Sequence, residues 1–156
     1  MKINFPIQLK DIEFKLSYGP CYGHCPVYDL TIRGNGKVTF TGHDFVDVPG
    51  VHTTTVEPKV ILQLIEAATE IGFFDMESHY DHEIIYELLP NGTIDVGLMS
   101  RTDYPMKTLE IRIGKQHKKV KAYLGVPKRL DEYFTLLNEL SGAILWIGVI
   151  GEEANA

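Results

Sequence analysis

The chain has no run of about 18 apolar residues, so no transmembrane helix is expected. Its longest apolar run is Ala143 to Ile150. It has no surplus of basic residues either. Fifteen Lys and Arg stand against 21 Asp and Glu, a formal net charge of −6. Nucleic-acid binders draw much of their affinity from neutralising phosphates with a basic patch. The one basic cluster here is Lys115, Lys118, Lys119 and Lys121, followed by Lys128 and Arg129. Lys119 and Lys121 flank Val120 in the manner of a strand's solvent side, so no nucleic-acid role is expected. The N-terminal Met1-Lys2-Ile3-Asn4-Phe5-Pro6 lacks the apolar stretch of a signal peptide. Read literally, the chain is cytoplasmic; a chain whose leader had been removed would read the same and be secreted or periplasmic.

Several catalytic signatures are missing too. Ser17, Ser78, Ser100 and Ser141 lie outside any Gly-x-Ser-x-Gly elbow. Gly34-Asn35-Gly36 leads into a strand pattern and not into the helix that a phosphate loop requires. There is no His-Glu-x-x-His element, internal repeat or low-complexity linker.

What is present is an ordinary globular composition. The chain has 156 residues, 44% hydrophobic and 23% charged, enough for one domain that folds without a metal or a disulfide. The expected layout is a single domain with an extension over 1–11, a core over 12–142 and an apolar tail over 143–156. Ile12 to Tyr18 and Val27 to Arg33 alternate apolar with polar residues, as half-buried strands do. Asn35-Gly36 supplies the turn of a tight hairpin into Lys37 to Thr41. Val51 to Val56 is β-branched and adds a fourth strand. Pro58 opens a helix with Val60, Ile61, Leu64, Ile65, Ala68 and Ile71 on one face, and Gly72 ends it. Ile84 to Leu89 and Thr93 to Met99 read as a hairpin across Pro90-Asn91-Gly92. Leu109, Ile111 and Ile113 alternate, and His117 to Tyr123 follows as their return strand. Pro127 precedes a second helix carrying Leu130, Tyr133, Phe134, Leu137 and Leu140. The expected class is α+β: a mainly antiparallel sheet of about six to eight strands with two helices packed on one face.

The segment Gly19-Pro20-Cys21-Tyr22-Gly23-His24-Cys25-Pro26-Val27-Tyr28 resembles the signature of an uncharacterised bacterial domain family, Pro-Cys-(Phe/Tyr)-Gly-x-Cys-Pro-x-Tyr between two N-terminal strands. Gly36-Lys37-Val38 and Gly72-Phe73-Phe74 resemble further family elements. So do Thr102-Asp103-Tyr104-Pro105 and Tyr123-Leu124-Gly125-Val126-Pro127. The likeness covers roughly residues 12 to 140. It implies no assigned activity. It marks Pro20, Gly23, Pro26, Tyr28, Asp103, Pro105, Tyr123, Gly125 and Pro127 as structural positions. Many relatives look secreted or lipid-anchored, which would permit a disulfide. The stretch between Tyr80 and Thr102 reads as longer here than in typical relatives.

Cys21 and Cys25 admit three readings. They are a structural pair, reduced or bridged, a redox pair activated by a neighbouring positive charge such as protonated His24, or zinc ligands together with His24. Zinc would need a fourth ligand, for which His43 and His52 are candidates. A second cluster, Asp75, Glu77, His79, Asp81, His82 and Glu83, is either a solvated acidic loop or a divalent-ion site built on His79, Asp81 and His82. No cofactor is expected. The expected function is that of a non-enzymatic binding or protein-interaction domain, with a thiol-redox or metal-binding protein as the alternative. The expected contact surface is the apolar tail, Leu145 to Ile150, in a homodimer or with another protein.

Overall fold

The computed structural model describes residues 2–100 and 104–148 of the chain. The four N-terminal alternating segments form a meander of β1 (Ile12–Tyr18), β2 (Val27–Arg33), β3 (Lys37–Asp44) and β4 (Gly50–Thr55). The β2–β3 turn is closed by the Lys37 amide, which donates to Asn35 Oδ1 at 3.0 Å. Then follow α1 (Pro58–Glu70), β5 (His79–Asp81), β6 (Glu83–Leu88), β7 (Ile94–Met99), β8 (Lys107–Ile113), β9 (Gln116–Leu124) and α2 (Lys128–Leu140).

Seven strands form one sheet in the order β4-β3-β2-β1-β8-β9-β5. All its pairings are antiparallel except the last, in which β5 runs parallel to β9. The sheet is therefore mixed, a refinement of the antiparallel expectation. The physical reason is the connection. A tight turn reverses a strand's direction, but the chain reaches β5 from the opposite sheet edge through α1 and a 3-10 turn, Phe73–Asp75. Residues expected as an acidic loop thus supply a sheet edge.

Period-two burial gives the sheet one dry face. Phe14, Leu16, Leu30, Ile32, Val38, Phe40, Leu109, Ile111 and Val120 are all buried there. Both helices cover that face with Ile61, Leu64 and Ala68 from α1 and Leu130, Tyr133, Phe134 and Leu137 from α2. The buried Tyr133 hydroxyl donates to the Leu64 carbonyl at 2.8 Å and ties the two helices together. The opposite face is open and charged. On it Glu13 meets Lys15, Arg33 and Arg112, and Lys119 and Lys121 point outward around buried Val120 as expected.

The tail packs back as far as it is described. Residues 144–148 are helical, and Ala143 and Ile147 are buried. Trp146 stacks on Phe40 at 5.4 Å and on His52 at 5.5 Å. Amides of Asp47 and Val48 donate to the carbonyls of Ile147 and Trp146 at 3.1 and 3.0 Å. Of the tail side chains expected to meet a partner, Leu145 is exposed, and Val149 and Ile150 lie outside the described residues.

Candidate functional site

The cysteine loop joins β1 to β2. Cys21 and Cys25 are bonded, with Cα atoms 5.8 Å apart. The Gly19 amide anchors the loop by donating to the Met106 carbonyl at 2.8 Å. Cys25 and Pro26 are buried, while Pro20, Tyr22, Gly23 and His24 face solvent. The His24 ring lies 4.8 Å from that of Phe45. In this state neither sulfur is a thiolate or a metal ligand. The two imidazoles considered as a fourth ligand have other partners: His43 binds Asp29 at 2.8 Å and His52 the Pro49 carbonyl at 2.9 Å.

Beneath the loop sits an aromatic anchor. Tyr28 stacks on Tyr18 with centroids 4.6 Å apart. Its hydroxyl donates to Oδ1 of the buried Asn138 at 2.9 Å. Lys107 holds its ammonium 4.8 Å from the Tyr18 ring centroid and 5.7 Å from that of Phe134. It also pairs with Asp131 at 4.0 Å. Desolvation dominates here. It pushes Tyr28 well up and Tyr18 up to about 12, and it lowers Lys107 and raises Asp131, each shift only partly offset by the other's charge. The buried Tyr28–Asn138 bond ties β2, at the end of the loop, to α2.

A serine, a carboxylate and an imidazole do meet on the open sheet face, in an order unsuited to nucleophilic catalysis. Ser17 donates to Asp29 Oδ1 at 2.7 Å, and His43 Nε2 contacts Asp29 Oδ2 at 2.8 Å. The carboxylate stands between hydroxyl and imidazole, so no imidazole reaches the Ser17 hydroxyl to act as its general base. Burial raises Asp29, but the bonds from Ser17 and His43 outweigh that and leave its pKa lowered.

His79, Asp81 and His82 do not assemble a metal site. They lie in and just after β5, so the helical face that would align the two imidazoles does not exist. His82 Nδ1 instead contacts its neighbour Asp81 at 3.0 Å. No three His, Cys, Asp or Glu side chains come together in a metal-holding group among the described residues.

The remaining signature positions fall before β8 and from the end of β9 to the start of α2. Tyr123 meets the Tyr104 ring edge-on at 6.4 Å. Pro127 precedes α2, and its carbonyl accepts from the Leu130 amide at 3.0 Å. Pro105 is half-buried, and Asp103 lies outside the described residues. Gly125 has φ 70°, and a Cβ there would overlap the carbonyl oxygen of His82, at the joint between β5 and β6.

Beyond that joint lies a feature that the sequence pattern did not single out. Among the described residues, β6 and β7 pair only with each other and stand apart from the main sheet. Their register sets Ile84 opposite Leu98, Tyr86 opposite Val96 and Leu88 opposite Ile94. Residues opposite each other, and those two apart, share a face. Six large apolar side chains therefore lie on one face, and they are 52–75% exposed. The other face carries Glu83, Glu87 and Asp95 around Ile85, Gly97 and Met99. The signal was present in the sequence: pairing the two alternating strands across the Asn91-Gly92 turn superimposes their apolar positions.

No helix among the described residues is long and apolar enough to cross a membrane. No curated protein matches the chain. A family described as a domain of unknown function (DUF6438) is matched over residues 12–141, which takes in the cysteine loop, the seven-stranded sheet, both helices and the β6–β7 ribbon. The chain belongs to that family.

Proposed function

We propose that this domain is a non-enzymatic protein-interaction module whose contact surface is the apolar face of the β6–β7 ribbon. One observation carries the reading: Ile84, Tyr86, Leu88, Ile94, Val96 and Leu98 form a continuous, exposed face. At ordinary side-chain areas their exposure amounts to on the order of 700 Å², above the ~300–600 Å² of the largest patch on a typical monomer. The face offers no charge, so its partner is an apolar protein surface. The ribbon falls in the stretch that reads as longer here than in typical relatives, and this supports a role specific to this chain. The closed Cys21–Cys25 pair fits a chain working in an oxidising compartment. There the loop's contribution is its shape.

The test is a triple variant, Ile84→Ser, Tyr86→Ser and Val96→Ser, melted at ~1 µM, where self-association contributes little. A contact surface meets only its cross-strand neighbours on the ribbon and not the domain's core, so the midpoint stays within ~2 °C of the parent. A drop of more than ~6 °C, about 2 kcal/mol for a chain of this size, would show that the face belongs to this domain's own core and would overturn the reading.

A further inference from the structure

We infer that the occupant of the ribbon's apolar face is the same face of a second copy of this chain. The inference rests on the interaction-module reading and adds the partner. Four observations support it. First, the face consists of Ile, Leu, Val and one Tyr, so it presents no charge for which a foreign partner would have to supply a counterpart. A face of this kind complements itself.

Second, the charges are in the right place. The chain carries a formal charge of −6, which would oppose self-association if acidic groups met across the contact. On the ribbon, Glu83, Glu87 and Asp95 all lie on the reverse face. Two ribbons stacked apolar face to apolar face turn every one of these carboxylates toward water. Third, the area is sufficient. Two faces on the order of 700 Å² bury up to about 1,400 Å² when stacked, within the 1,200–2,000 Å² of stable specific interfaces.

Fourth, the ribbon needs a cover. A lone two-stranded hairpin is marginal in water, and a packed apolar face is what makes it stable. Here Glu87 sits directly opposite Asp95, a like-charge pair that works against the isolated hairpin. Stacked ribbons form a small sandwich with its sheets ~10 Å apart. The contact is isologous and two-fold, so it closes at the dimer and does not propagate.

The experiment is sedimentation equilibrium on the full chain from ~1 to ~200 µM, with Tyr86→Glu and Ile85→Glu as variants and circular dichroism to check that each is folded. Ile85 lies opposite Gly97 on the acidic face, so its variant makes the same chemical change on the wrong side. The expected result is a dimer, weakened at least ~30-fold by Tyr86→Glu, as for a central hot spot, and unaffected by Ile85→Glu. A dimer that both variants weaken equally, or that neither weakens, overturns the face-to-face arrangement. A chain that is monomeric throughout overturns the second copy as occupant. An environment-sensitive apolar dye then separates this inference from the reading beneath it. If the monomer binds dye and Tyr86→Glu abolishes the binding, the face is open and awaits a different protein. If the monomer binds none, the face is covered within the chain and the interaction-module reading falls as well.

Discussion

Gly125 and Gly72 allow backbone strain to be separated from steric contact within one molecule. Their φ angles are 70° and 69°, so alanine at either position meets the same left-handed penalty, roughly 1–2 kcal/mol. Their surroundings differ. A Cβ on Gly72 has nothing within 4 Å, whereas one on Gly125 overlaps the His82 carbonyl oxygen and comes within 3.3 Å of its carbonyl carbon and 3.6 Å of Glu83 Cα. These neighbours are backbone and cannot swing aside as a side chain would. Relief requires residues 82–83 to retreat, which pulls on the adjacent Asp81–Leu124 pairing between β5 and β9. Losing one sheet bond there adds about 0.5–1.5 kcal/mol, and imperfect repacking adds to that. Gly72→Ala is therefore expected to cost roughly 1–2 kcal/mol and Gly125→Ala about 3 kcal/mol. Urea unfolding with an unchanged slope measures both. Amide exchange over residues 79–83 should accelerate only in Gly125→Ala, since the damage is local to the ribbon's root. Equal costs for the two variants, or unchanged exchange at β5, would refute a requirement for glycine at 125 set by the close approach of His82.

Three other sites give measurable expectations. Replacing Cys21 and Cys25 together with Ser releases a loop of sequence separation 4. A loop that short is worth about 2 kcal/mol, or a fall of roughly 4–8 °C in a thermal melt; an unshifted melt would mean that the Gly19–Met106 bond alone holds the loop. Tyr28→Phe removes the donor to Asn138 Oδ1, an atom on a side chain only 7% exposed. It should cost about 1–3 kcal/mol, and loss below ~0.5 kcal/mol in denaturant titration would show that water reaches Asn138. Desolvation raises Tyr18, Tyr28 and Tyr133 above the ordinary phenol value, Tyr18 to about 12. A raised folded-state pKa contributes stability that is fully present below the unfolded value of about 10 and is lost as pH rises through the folded one. Stability should therefore decline above about pH 10, with a phenolate absorbance step near pH 12, and Tyr18→Phe should flatten that decline.

Much of the local structure was legible because the local signals agreed with the fold. Alternation located β1 and β2, Asn35-Gly36 marked their continuation into β3, and Pro58 and Pro127 marked the starts of both helices. The order of strands was not legible. β1 lies between β2 and β8, and the β1–β8 pairing joins residues 89 to 101 positions apart, which no short-range pattern encodes. Asp75 to Glu83 read as a solvated loop because five of its residues beyond the first are Asp, Glu or His. An edge strand tolerates such residues, since its outer side stays in water. The tail read as a contact surface because an apolar run does not reveal whether it packs on its own sheet. Here Trp146 found Phe40 and His52.

At the ribbon, pattern alone is not enough. Alternation states that a strand has an apolar face; it does not state what covers it. In β1 and β8 that face meets α1 and α2, and Phe14, Leu16, Leu109 and Ile111 are 0–1% exposed. In β6 and β7 the same alternation produces Ile84 at 52% and Leu88 at 75%. The difference is one of helix supply. Two 13-residue helices, each about 20 Å long, are already occupied by the seven-stranded sheet, and the ribbon leaves that sheet at β5, beyond its last strand. Neither helix covers that face, and a hairpin this small is marginal by itself. The uncovered face, rather than the reactivity of the cysteine loop, is therefore the reason for seeking the domain's function at the ribbon. The loop's sulfurs are bonded to each other and Tyr28 in β2 is bonded to Asn138 in α2, in a part of the sheet well away from the edge where the ribbon departs.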